Sequence, residues 1–397
     1  MLPTAKTANY FSKLPITYNP NKMKQLYTFL SVILITLSAC SQQVESEVKA
    51  ETPKNLHYKT ELVVPDLNIP WGMAFLPDGS MLITEKSGEL IHFKDNKKTT
   101  ISGLPEIYVR GQGGLLDIQL HPNYASNGWI YFSYASAEGE GDGGNTAIMR
   151  AKLTDNHLTE NQLLYKATPN TKKGQHFGSR IVFDNEGYLY FSIGERGARD
   201  ENPQDITRDG GKIYRLNDDG STPTDNPFIN TKDAKTAIYS YGHRNPQGLI
   251  KNPHTGAIWE HEHGPQGGDE INIIEKGKNY GWPVISYGIN YSGTSFTEIT
   301  HKEGMEQPIF YWTPSIAPSG FAYVTSNKYP DWQDNLLVGS LKFSYLERLV
   351  LKNNKVVKRE KIFENLGRFR DVVQAPDGYI YIAVEGKGIY KIIPEQK

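Results

Sequence analysis

The chain of 397 residues carries a single cysteine, Cys40, so no internal disulfide can form. It also lacks an excess of charge. The 43 Lys and Arg residues face 44 Asp and Glu, and a formal net charge of −1 sets up no overall field to draw in nucleic acid or an anionic membrane. No nucleic-acid partner is expected, and any anion must be held by local clustering. Long hydrophobic runs are missing too: the 12-residue apolar stretch from Leu26 to Leu37 falls short of the roughly 20 residues a spanning helix needs. Lys24 precedes this stretch and Leu37-Ser38-Ala39-Cys40 ends it, so residues 23–40 read as a secretory signal. The closing quartet looks like a bacterial lipobox, whose cysteine becomes the lipidated start of the mature chain; the plainer alternative is an ordinary signal peptide with a chance cysteine. The lipobox reading expects residues 1–22 to be an upstream extension and the polar residues 41–55 to be a flexible tether. It places the protein on the periplasmic side of a bacterial envelope, anchored to the outer membrane through Cys40 and touching membrane nowhere else.

Helical signals are scarce, whereas aromatics reach 11%, with 24 Tyr, and turn formers are plentiful, with 37 Gly and 23 Pro. That composition suits an all-β protein. Six segments follow one template of apolar strand, Pro/Asp/Asn/Gly turn and apolar-aromatic strand. They include "WGMAFLPDGSMLITE" (71–85), "SRIVFDNEGYLYFSIGE" (179–195) and "RDVVQAPDGYIYIAVE" (370–385). Most are followed by a third alternating strand, such as "GKIYRLND" or "GIYKIIP". Six repeated hairpins with third strands predict a six-bladed β-propeller of four-stranded antiparallel blades over residues 56–397. A pair of β-sandwiches is the alternative, into which six similar hairpins fit less naturally. The strand "YKTELVVPD" (58–66) is placed to complete the blade begun by the C-terminal hairpin, which closes the ring and leaves no open sheet edge.

Polar residues cluster where these hairpins begin. In "GQHFGSR", Gln175 and His176 stand just before a strand; a lone histidine there is as well explained by a bond to a loop carbonyl. In "YGHRNPQGL", Arg244, Asn245 and Gln247 offer fork-shaped donors suited to a planar, oxygen-rich ligand, or else to a turn network. "HEHGPQGGDEIN" has the residues of a metal site, His261, Glu262, His263, Asp269 and Glu270, without H-E-x-x-H spacing. Zinc is therefore disfavoured, and calcium held by loop carbonyls competes with a structural turn. Lys342 in "GSLKFS" and Arg368 and Arg370 in "GRFRDVV" read singly as surface charges; a propeller brings strand starts from all blades to one mouth, where they would converge on Arg244.

The ordered set "PWGMAFLPDG", "GQGGLLDIQLHPNY", "GHRNPQGL", "HGPQGGDEIN", "NYGWP", "GSLK" and "RFRDVVQAPDG" resembles the soluble quinoprotein glucose/sorbosone dehydrogenase family, most closely its aldose sugar dehydrogenase branch, across about residues 58–393. The resemblance implies a six-bladed propeller binding pyrroloquinoline quinone (PQQ) and Ca2+, which oxidises aldoses at the anomeric carbon and passes electrons to a further acceptor. It implies His176 as general base and Arg244, Asn245, Gln247, Lys342, Arg368 and Arg370 as cofactor contacts. Gly264 and Pro265 would give carbonyls to calcium, and Gln112, Gln175 and Trp312 would lie at the substrate. Two departures stand out: the glucose-oxidising branch has an acidic residue before the base, where this chain has Gln175, and "GDQG" where it has "GERG", with Glu195 and Arg196. Broad aldose use rather than glucose specificity is expected. The rival readings are a non-enzymatic binding propeller, which needs no base, and a metal-dependent lactonase, which calls for an even Glu/Asn set at the blade starts.

Overall fold

The computed structural model describes residues 48–395. The expected extension, the signal segment with Cys40 and the first residues of the tether lie outside the described residues. The described chain forms six four-stranded sheets, each a meander of antiparallel neighbours, as the hairpin repeat predicts. The first strands of the six blades are Pro70–Phe75, Leu115–Leu120, Ile181–Phe183, Pro246–Lys251, Pro318–Tyr323 and Phe369–Gln374. Each touches the first strand of the next blade, and the last touches the first, so these six strands surround the axis. Their starts lie at one mouth.

Tyr58–Pro65 pairs antiparallel with Gly388–Pro394 and closes the ring, as expected. One expectation needs correction. Part of the tether is ordered: Ala50–Glu51 adds a fifth strand, in parallel register with Arg359 and Glu360, to the outer edge of blade 5. The Arg359 guanidinium bonds the Val48 carbonyl at 3.0 Å, and Thr52 donates to Glu364 at 2.8 Å. Backbone groups of an outer strand, otherwise open, are thereby covered.

Second strands such as Leu189–Ile193 and Ile380–Val384 are buried along their whole length, because each sheet is packed on both faces by neighbouring blades. Accordingly the core is a set of apolar seams between neighbouring blades rather than one centre. Between blades 5 and 6, for example, Val324, Tyr329, Trp332, Leu346, Ile380 and Ile382 pack together. The axis itself is polar. Arg180 sends Nη1 to Asp117 at 3.1 Å and to Asp371 at 3.0 Å, Nε to the Gln247 carbonyl and Nη2 to the Arg370 carbonyl, with Trp71 under its guanidinium. This single side chain cross-ties residues of blades 1, 2, 4 and 6. A buried charge tolerates such a position only when it is paired and hydrogen-bonded, and here all three nitrogens have partners, two of them carboxylates.

Candidate active site

Residues 173–177 approach the first strand of blade 3 as an extended loop, and His176 adopts φ +55°, an uncommon conformation for a side-chain-bearing residue that clusters at functional sites. Three contacts hold it there. Its backbone N–H donates to Gln112 Oε1 at 2.7 Å, its Nδ1 faces Glu195 Oε1, and a glycine lies behind it. A Cβ at Gly194 would sit 2.4 Å from the His176 carbonyl and 2.6 Å from Asn245 Oδ1, so only glycine lets the three segments meet.

An ionised carboxylate only accepts, so Nδ1 carries the hydrogen and Nε2 is the ring nitrogen left to act as a base. Burial pushes the imidazole below its usual pKa; the Glu195 bond pulls the other way, and the charges of Arg244 and Arg196 push further down. His176 is thus a neutral imidazole, oriented through Nδ1 and with Nε2 unprotonated.

Asn245 and Gln247 face the same way, with the Gln247 amide donating to Asn245 Oδ1 at 3.4 Å, and Asn245 Oδ1 also accepting from Gly178 N at 3.2 Å. The Asn245 amide nitrogen is buried without a partner, a donor waiting for an acceptor. Beside it Arg244, 6% exposed, sends Nη1 to the carbonyls of His263 at 3.0 Å and Gly264 at 2.7 Å, and its guanidinium lies 5.3 Å from the Trp282 ring. Among the described residues no carboxylate forms an ion pair with it.

The backbone of this turn is set by Glu262, whose Oε2 accepts from the N–H groups of Arg244 and Asn245. Behind Glu262 the wholly buried His243, Glu260 and Glu262 bring ligand atoms within 4.8 Å of one another. Burial opposes charge on His243, yet bonds to the two glutamates carry it up to about 9, so its imidazolium supplies the cation this cluster needs. The other histidines of "HEHGPQ" do not converge on a metal. Both Nε2 atoms donate to blade 5 carbonyls, His261 to Gly320 at 3.1 Å and His263 to Pro318 at 2.8 Å. Asp269 is taken up by Gly264 N, Ser315 Oγ, Ile316 N and Ala317 N.

Arg368 and Arg370 do share one face. Both grip Glu385, Arg368 Nε at 2.6 Å and Arg370 Nε at 2.9 Å. Arg368 also bonds the Leu341 carbonyl next to Lys342, and Lys86, whose pKa burial and then Arg370 depress, bonds the Gly111 carbonyl beside Gln112. The cationic residues of blades 1, 5 and 6 and the His176–Arg244 group of blades 3 and 4 therefore encircle one mouth. A cavity of about 450 Å³ opens beside the His176–Arg244 group, bounded by Gln175, His176, Glu195, Arg244, Pro265 and Trp282 together with Arg199, Asn290 and Tyr291; Gln112, Lys342, Arg368 and Arg370 do not line it. Trp312 is a correction. It is wholly buried, does not line this cavity, and its indole N–H donates to Glu347 at 2.9 Å, because the outermost strand of blade 4 faces the seam to blade 5.

The residues suit both PQQ and calcium. The orphaned Asn245 amide and the uncompensated Arg244 are donors for an anionic, oxygen-rich ring. The His263 and Gly264 carbonyls already turn toward a cationic group, the Arg244 guanidinium.

A closed six-bladed ring whose cavity holds an oriented imidazole and a buried arginine without an ion pair among the described residues fits the class of propeller oxidoreductases. It belongs to the glucose/sorbosone dehydrogenase family, whose model matches residues 67–391. Aldose sugar dehydrogenase YliI of Escherichia coli K12 is 43% identical over 333 residues, spanning 82% of this chain and 89% of that protein. The apo crystal structure of the soluble aldose sugar dehydrogenase of Escherichia coli superposes with a TM-score of 0.80 at 40% identity, covering 85% of this chain and 100% of that one. The PQQ-bound aldose sugar dehydrogenase of Streptomyces coelicolor does so at 0.69 and 28% identity, covering 87% and 100%.

Proposed function

We propose that the protein oxidises aldose sugars at the anomeric carbon to lactones, with PQQ as resident cofactor and calcium beside it. The most direct support is one juxtaposition: an oriented neutral imidazole, His176, shares a cavity with a buried guanidinium, Arg244, that has no acidic partner among the described residues. A relative named as an aldose sugar dehydrogenase and a PQQ-bound structural neighbour support the same reading.

Arg244, Asn245, Gln247, Lys342, Arg368 and Arg370 would hold the carboxylates and ring oxygens of the cofactor, and the Gly264 and Pro265 carbonyls would hold calcium. When bound, PQQ supplies a carbonyl that accepts hydride from C1, and calcium supplies its Lewis-acid polarisation. His176 Nε2 takes the proton from the C1 hydroxyl, so that the C1–O bond gains its second component as hydride departs. The Nδ1–H bond to Glu195 then stabilises the imidazolium. Gln112 fixes the His176 backbone, and Gln175, at the cavity wall, is placed to meet sugar hydroxyls. The lactone leaves, and an acceptor outside the chain takes the electrons.

The purified apo-protein is tested with PQQ and Ca2+ together and singly, following dye reduction and lactone formation over several aldoses. Turnover is expected only with both, and without preference for glucose. No turnover of any aldose at saturating PQQ and Ca2+ would overturn the reading.

The outer-membrane lipid anchor at Cys40 belongs to the same proposal. Metabolic labelling with a fatty acid should mark the wild type and leave Cys40→Ser unmarked; equal labelling of both removes the anchor.

A further inference from the structure

Arg196 follows Glu195 directly, and the catalytic reading above gives it no task. Yet it is an arginine only 2% exposed. Its guanidinium lies 3.4 Å over the centroid of the Phe177 ring. Nη1 bonds the Gln175 carbonyl, and Nη2 bonds the carbonyls of Lys173 at 2.8 Å and Gly144 at 3.2 Å. Its Nε is buried without a partner, and no carboxylate among the described residues forms an ion pair with it.

A neutral side chain would satisfy packing at far lower desolvation cost, since an unpaired buried charge is among the most expensive groups a protein can hold. What the charge reaches is instructive. Two of the three carbonyls, at 173 and 175, belong to the segment leading into His176, the aromatic ring is the residue after it, and the third carbonyl ties the loop to blade 2.

We infer that Arg196 is a positioning residue for the base: its guanidinium clamps the 173–177 loop from behind through three carbonyls and one ring face. Its charge adds to this, after burial and Arg244, by favouring the neutral imidazole of His176. This rests on His176 acting as the base. Glu195 and Arg196 then divide the work as consecutive residues, one setting the ring through Nδ1, the other setting the backbone. A displacement of about 1 Å at a reacting group is enough to cost about 100-fold in rate, so a fixed backbone here has catalytic value.

The electrostatic part involves every charged group around the imidazole. Glu195 favours the imidazolium. Arg196 from the same loop and Arg244 from the turn into blade 4 disfavour it. His263, at the end of the blade 4 hairpin, is kept neutral chiefly by burial. Lys173, Arg199, Asp200 and Glu201 line the cavity. Of these, Arg196 is the cation that bonds the backbone of the loop of the base, at the Gln175 and Lys173 carbonyls.

Two variants separate clamp from charge. Arg196→Gln removes the charge and most of the bonds; Arg196→Lys keeps the charge and loses the fork. The His176 ring is titrated by NMR in the apo-protein, its signal identified by loss in His176→Asn, and kcat and KM are measured after reconstitution with PQQ and Ca2+. In Arg196→Gln the imidazole should titrate at higher pH than in wild type and the acid limb of kcat/KM should move up with it. In Arg196→Lys the titration should stay in place. In both, kcat should fall about 10- to 100-fold with KM changed less than about threefold, as expected for misplaced chemistry rather than lost binding.

An unmoved titration in Arg196→Gln, or undiminished kcat in both variants, overturns the inference. If thermal melts show Arg196→Gln unfolded, Arg196→Lys decides alone: undiminished kcat sinks the clamp. A wild type with no aldose turnover would defeat the functional reading, while the apo-protein titration would still report on Arg196.

Discussion

Replacing His176 by asparagine is expected to lower kcat for aldose oxidation by about 10²- to 10⁴-fold, the usual worth of a positioned general base, while PQQ still binds. Asparagine is the informative choice because it keeps a donor for Glu195, whose second carboxylate oxygen is already buried without a partner. Alanine would mix a catalytic loss with a desolvation penalty. The pH profile gives a second readout. Burial, then Arg244 and Arg196, hold the imidazole below its ordinary pKa against the pull of Glu195, so the base is deprotonated at neutral pH. Activity should therefore fall only on the acid side, at a pH below that of a free imidazole, as the lone pair on Nε2 is lost. In His176→Asn that acid limb should vanish. A variant with wild-type turnover, or with the same acid limb at reduced rate, would assign the proton transfer elsewhere.

The hairpins were readable because their alternation and turns repeat, and the propeller follows from counting them. Outer strands were much less readable. Phe310–Trp312 has three residues and Ile238–Tyr241 four, too few to establish a period, and their place is set by the strand beside them. That Gln247 and Arg370 stand at the starts of their strands could be foreseen from the hairpin pattern. Their partners could not be read from isolated motifs, although a pattern for them is present.

The second strands of blades 1, 3, 4 and 6 run into Glu85, Glu195, Glu262 and Glu385, each at the mouth end of its hairpin. Glu85 accepts from Asn68 N and Ile69 N, Glu195 from His176, Glu262 from Arg244 N and Asn245 N, and Glu385 from Arg368 and Arg370. One geometric role, holding the segment that enters the same blade, was reused on four blades, and on three of them that segment carries candidate site residues. Read as the end of an apolar strand, each glutamate looks like a surface charge. Only its recurrence at the same point of the repeat marks it. Trp312 misled for the opposite reason: its motif matched, but a residue on an outermost strand packs into the seam between blades and never reaches the axis.

Arg244 and Arg370 should respond to truncation with opposite effects on the apo-protein, although both are placed to hold the cofactor. Arg370 is matched by Glu385, so Arg370→Met strands a buried carboxylate with only Arg368 for company and should lower unfolding free energy by about 3 kcal/mol. Arg244 has no such partner among the described residues. Its Nη1 bonds go to two carbonyls at the edge of a cavity water can enter, and these can be rehydrated when the side chain is shortened. Arg244→Met should therefore leave the apo-protein as stable as wild type or more so, because it relieves an uncompensated buried charge.

Ligand binding should show the reverse economy. A hydrogen bond to a charged group contributes about 1.5–3 kcal/mol, so losing the guanidinium should weaken PQQ about 10- to 100-fold. Urea unfolding of the apo-protein and titration with PQQ read the two effects separately. Equal destabilisation in both variants would mean that Arg244 is a structural cross-tie to the Gly264 loop; retained PQQ affinity in Arg244→Met would mean that its open charge is not reserved for the cofactor.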